Sequence, residues 1–179
     1  MILGITGTLG AGKGAVVEYL TKSHGFKHFS AREFLRREVE KVGLPVNRDT
    51  LTQVANDLRA QHGSDFVIRE LYKEAEERGG NTIIESVRTI GEVEFLKTKK
   101  DFFLLAIDAS PKIRYQRISG RNSETDKISF EKFLEDEQRE MFSSDPNKQN
   151  LSACITAADF KITNNGTFED LEKEVSKIL

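Results

Sequence analysis

The chain has 179 residues, a formal net charge of −2 and one cysteine, Cys154. That length suits a single domain, 1–179, with a full core; the near-neutral balance gives nucleic acid no electrostatic footprint; and one cysteine excludes a disulfide framework. No apolar run approaches the roughly 20 residues of a membrane-spanning helix, and a core strand from Ile2 leaves no room for a leader peptide, so a cytoplasmic protein is expected.

In chain order, apolar runs alternate with helical patterns, which predicts an α/β fold: a five-stranded parallel sheet with helices on both faces. The first strand, Ile2–Thr6, runs straight into Gly7-Thr8-Leu9-Gly10-Ala11-Gly12-Lys13, and a helix burying Val16, Val17 and Leu20 follows. A strand, a Gly-x-x-x-x-Gly-Lys loop and a helix in that order make a phosphate-binding P-loop. Its glycines let successive N–H groups turn toward phosphate oxygens, the helix adds the positive end of its dipole, and Lys13 adds a mobile charge. Gly7, Gly10, Ala11, Gly12, Lys13, Gly14 and Ala15 are therefore the candidate ATP contacts. The position after such a lysine ordinarily carries Ser or Thr to reach magnesium. Here Gly14 and then Ala15 stand there, so Mg2+ must be held by water, substrate oxygens and a carboxylate elsewhere.

The second strand is Lys27–Ser30. The helix after it opens with a Ser30/Glu33 capping box, stops at Gly43 and carries Leu35, Val39 and Val42 on one face. In open parallel sheets ligands bind outside the carboxyl ends of the strands, which makes Ser30 and Arg36 substrate candidates. Asn47–His62 and Ser64–Arg78 read as a helical pair interrupting the strand rhythm. The third strand, Thr82–Glu85, ends on an acid where P-loop proteins keep the carboxylate that orders the metal's water shell. Arg88 lies just beyond it. The fourth strand, Phe102–Asp108, leads to Ser110-Pro111 and a helix ending near Gly120. Arg114, Arg117 and Arg121 share a helical face there without interleaved acids, so polyphosphate is their expected counterion.

A further helix, Ser129–Phe142, carries Phe130, Phe133, Leu134 and Met141, and includes Arg139. Cys154 reads as a small buried hydrophobe. The last strand is Phe160–Thr163, and the last helix starts at Thr167 and buries Phe168, Leu171 and Val175. Two polar stretches, about 43–78 and 122–151, have the character of substrate-covering insertions.

Over nearly its whole length the chain resembles the nucleoside monophosphate kinase superfamily, in its adenylate-kinase-related and dephospho-CoA-kinase-related branches. The Gly12-Lys13-Gly14 loop ending, Ser30 to Arg36, Glu85-Ser86-Val87-Arg88, the Arg117/Arg121 pair and Ala158 to Gly166 carry the resemblance. It implies acceptor-phosphate binding by Arg36 and Arg88, and a metal-organising acid at Glu85 acting through water. It implies a lid over ATP opened by Arg117 and Arg121 and completed by Arg139, and a base pocket shaped by Asn164, Asn165 and Gly166. Glu85 and Ser86 depart from the family's Asp-Gly.

The implied reaction moves the γ-phosphoryl group of Mg-ATP to a nucleoside or deoxynucleoside monophosphate, with Lys13, Arg117, Arg121 and Arg139 neutralising charge. Dephospho-CoA is the other acceptor the resemblance leaves open. A non-catalytic ATP-binding module is the alternative of another class, favoured by the absent hydroxyls at Gly14 and Ala15. A guanine-binding switch is excluded, because Asn147-Lys148-Gln149-Asn150 has Asn where a guanine-pairing Asp is needed. Small-molecule nucleotides are the expected partners, with no nucleic acid and no membrane, for a monomer or weak homo-oligomer.

Overall fold

Five apolar runs form the strands of the computed structural model, which describes residues 1–120 and 128–179. They are β1 (Ile2–Gly7), β2 (Lys27–Ser30), β3 (Thr82–Glu85), β4 (Phe102–Asp108) and β5 (Phe160–Thr163). All pair in parallel, in the order β2-β3-β1-β4-β5. The connection from β1 leads to β2 on one side of the sheet, whereas that from its neighbour β3 leads to β4 on the other. The carboxyl ends of β1 and β3 thus flank a topological switch point, where open parallel sheets leave a crevice.

The helices among the described residues are α1 (Lys13–His24), α2 (Ala31–Lys41), α3 (Arg48–His62), α4 (Phe66–Arg78), α5 (Ile90–Lys97), α6 (Pro111–Ser119), α7 (Phe130–Met141), α8 (Leu151–Thr156) and α9 (Phe168–Ser176). Adjacent strand residues point to opposite faces, and the core divides accordingly. Leu3, Ile5, Ile83 and Leu105 pack with α1 and α9 on one face. Ile84 and Leu104 pack with Phe34, Ile68, Leu71 and Cys154 on the other. None of these helices is long and apolar enough to cross a membrane.

Leu134 and Val42, read on apolar helix faces, and Phe168, expected to be buried, are exposed. Val42 is 62% exposed, because α2 ends at Lys41 and Phe34 takes the inward place. Phe168 is 57% exposed at the first position of α9, one turn before Leu171 reaches the sheet. Two short helices escape the sequence reading, α5 and α8. The Thr89/Glu92 capping box ahead of Val93 and Leu96 was the available signal for α5. At six residues, α8 carries too little periodicity to stand out.

Candidate functional site

The loop after β1 is shaped by backbone that side chains rarely tolerate. Gly10 and Gly12 have φ of +80° and +107°. A Cβ on Gly10 would lie 2.5 Å from the Arg114 carbonyl, and one on Gly12 2.4 Å from Asn164 Nδ2. Lys13 Nζ reaches back across the loop and donates to the carbonyls of Gly7 and Thr8, both at 2.8 Å. α1 begins with no acid in its first turn, so no side chain opposes the positive end of its dipole. This cradle suits phosphate oxygens.

Neighbouring elements brace it. Thr8 Oγ1 donates to Asp108 Oδ1 at 2.6 Å, and Asn164 Nδ2 donates to the Ala11 carbonyl at 2.8 Å. Asn165 Oδ1 accepts from the Ser110 amide at 2.8 Å. Arg117 donates to the carbonyls of Asn164 and Gly166 at 3.0 and 3.4 Å. The turn at 164–166 thus packs against the P-loop, with Arg117 holding its carbonyls. Arg114 has a different counterion from the one expected. It is buried, bonded to the Ala109 carbonyl at 2.7 Å and paired with Glu137 of α7. Asp108 at the end of β4 also lies 3.5 Å from Nε, so acids from two other elements balance this arginine.

Beyond Lys13 and Gly14 opens a cavity of about 350 Å³, whose wall includes Ser30, Glu85, Ser86 and Arg88. Ser30 also caps α2, accepting from the Glu33 amide at 3.3 Å. Burial alone would raise the Glu85 carboxyl. A 3.1 Å contact with His28 Nε2 and the charges of Lys13 and Arg88 outweigh it and hold Glu85 below the usual range. Among the described residues no three His, Cys, Asp or Glu side chains cluster to grip a metal. A divalent ion beside Glu85 would take most of its oxygens from phosphate and water, as magnesium commonly does. The donor set fits that arrangement.

Arg36 does not reach the cavity. It lies on α2, ion-paired to Glu33 at 2.5 Å and to Glu40. Arg32, one turn nearer the start of α2, lines the wall instead. Arg139 is half exposed, 3.5 Å from Asp136 and 3.6 Å from Asp49, in a separate cleft. Arg121 lies outside the described residues.

Sequence reasoning missed Arg48, Arg59 and Glu140, all on the cavity wall. Glu140 is buried between two arginines: Arg48 Nη2 donates to Oε1 and Arg88 Nη1 to Oε2, both at 2.7 Å. Burial opposes its ionisation, but Arg88 and Arg48 overcome it and hold its pKa at about 2. Arg88 Nη1 also donates to Gln149 at 2.7 Å. Arg59 had a sequence signal: it falls in line with Leu51 and Ala55 at helical spacing, a charge placed on an apolar stripe. Glu140 had none, being one acid of several in α7.

A family model described as AAA domain matches residues 3–143. The chain belongs to this P-loop family. A UPF0200 protein of Methanococcus maripaludis is 31% identical, with 99% of this chain and 97% of that protein aligned, so the chain belongs to the UPF0200 family as well. Two solved structures share the fold. A Thermus thermophilus protein superposes with a TM-score of 0.65 at 20% identity, over 99% of this chain and 95% of that one. The shikimate kinase of Aquifex aeolicus gives 0.58 at 15% identity, again over 99% and 95%. The fold is that of kinase-like P-loop proteins.

Proposed function

We propose that the protein transfers the γ-phosphoryl group of ATP to a small anionic acceptor, a nucleoside monophosphate being the favoured class. The observation that carries this reading is the single cavity holding Lys13, Glu85, Arg88 and Arg48. Donor and acceptor phosphates would meet there between fixed positive charges, and phosphoryl transfer depends mainly on such positioning and neutralisation. Lys13 and the amides at Gly12 to Gly14 hold the donor phosphates. Glu85 would hold a magnesium ion through water, and the ion would supply charge neutralisation at the phosphate oxygens.

Arg48 and Arg88 take the acceptor phosphate. Their spacing suits a two-oxygen anion, as supported by Glu140 accepting one bond from each. Without an acceptor Glu140 holds that place, and the incoming phosphate would exchange with its carboxylate. Leu35, Leu51 and Ala55 give the same cavity an apolar wall for a flat ring. The stretches 43–78 and 122–151, the latter described only from residue 128, would act as acceptor-covering insertion and lid of one kinase domain. Arg117 acts by holding the 164–166 turn beside the P-loop.

A carboxylate-bearing hydroxyl acceptor is the second reading, favoured by the fold shared with shikimate kinase and by a carboxylate already between Arg48 and Arg88. Turnover of Mg-ATP against nucleoside monophosphates, dephospho-CoA and shikimate separates the readings. We expect turnover on a monophosphate, and Lys13→Ala to lower kcat by about 10²-fold with the fold intact, as for loss of a preorganised charge. ATP binding without turnover on any acceptor would replace this reading with a non-catalytic nucleotide-binding module.

A further inference from the structure

Arg59 of α3 is 2% exposed and its partner Glu92 is fully buried. Arg59 Nε and Nη2 both donate to Glu92 Oε1, at 3.1 and 2.8 Å. The other carboxylate oxygen accepts from the amides of Arg88 and Thr89, at 2.7 and 3.1 Å. The guanidinium is thereby fixed in place. Its remaining nitrogen, Nη1, is buried and has no hydrogen-bond partner among the described residues. Buried donors are nearly always paired, and Arg59 lines the cavity that also contains Lys13, Glu85 and Arg88.

Charge decides what the partner must be. Glu92 already balances Arg59, so Nη1 offers a directed N–H rather than an unopposed cation. Arg48 and Arg88 serve the anion. Leu51 and Ala55 stand two turns and one turn before Arg59 on the same helix, and both line the cavity. An apolar strip ending in a fixed donor suits a flat ring with a hydrogen-bond acceptor at its edge. We infer that Arg59 is a specificity-determining residue, donating from Nη1 to a carbonyl oxygen or unprotonated ring nitrogen of a heterocyclic base on the acceptor. The inference rests on the proposed phosphotransfer and names what that acceptor carries besides its phosphate. A site built to hydrogen-bond such an atom rejects analogues lacking it, because the donor is left unpaired.

Two variants test this. Arg59→Lys keeps a positive charge beside Glu92 but loses the fork. The double variant Arg59→Met with Glu92→Gln removes both charges together, while the Gln side-chain carbonyl still accepts from the Arg88 and Thr89 amides. It supplies the measurement where Arg59→Lys does not fold. Calorimetric titration with ribose 5-phosphate and with each of AMP, GMP, CMP and UMP, in the presence of a non-hydrolysable ATP analogue, gives a selectivity ratio. We expect wild type to prefer at least one nucleotide over ribose 5-phosphate, and the variants to cut that ratio by about tenfold or more. An unchanged ratio in a folded variant overturns the role of Arg59 and leaves the phosphotransfer reading standing. Wild type that binds none of the five overturns both.

Discussion

Ser86 adopts a φ of +73°, in the left-handed region that costs an L side chain about 1–2 kcal/mol. The turn is held there because the amides of Ser86 and Val87 both donate to the Ile5 carbonyl, at 2.9 and 3.1 Å. Glycine adopts such a φ without this strain. Ser86→Gly is expected to stabilise the fold by about 0.5–1 kcal/mol after the entropy of glycine is counted, read from urea midpoints. A loss of stability would mean that the serine makes a contact outweighing the backbone strain. Gly14 presents the opposite case. It is exposed, and a Cβ there meets nothing within 4 Å, whereas Ala15 packs against the core. The missing hydroxyl is therefore best restored at Gly14. Gly14→Ser should tighten Mg-ATP binding about tenfold, the scale of one charge-assisted hydrogen bond. Unchanged affinity by titration would mean that the metal's shell is complete without a side-chain hydroxyl.

Among elements, α7 departs furthest from its sequence reading. Its aromatic face was readable, and Phe133 is buried against Arg114 and Tyr115. Its charged residues were not, since helical spacing says which residues share a face but not what the face meets. Arg139 turns toward Asp49 and Asp136, while Glu140 enters the cavity and ties α7 to Arg48 of α3 and to Arg88. That tie has a pH signature. The Glu140 pKa is lowered from an ordinary 4.5 to about 2, so its contribution is complete above about pH 4.5 and is lost as pH falls toward 2. The shift corresponds to about 3 kcal/mol at most. Glu140→Gln should therefore be less stable than wild type at neutral pH, with the gap closing between about pH 5 and pH 2. A gap independent of pH would remove the carboxylate charge from the docking of α7.

At the scale of the whole molecule, the strand order puts β3 and β4 on either side of β1, so Glu85, Asp108 and the P-loop converge at the carboxyl end of the sheet. The sequence by itself determined the five strands, most helices and the phosphate cradle. Those features rest on local rules: alternation, capping and the φ demanded of glycine. Only the tertiary structure decided which charges serve the site. Arg36 and Arg32 lie four residues apart on α2, yet only Arg32 borders the cavity. Arg114 finds Glu137 23 residues away and Arg48 finds Glu140 92 residues away. A charge on a short segment carries no record of its partner, because Coulombic pairing depends on distance in space and on burial. Both are fixed only when α3, α5 and α7 close around the carboxyl ends of the strands.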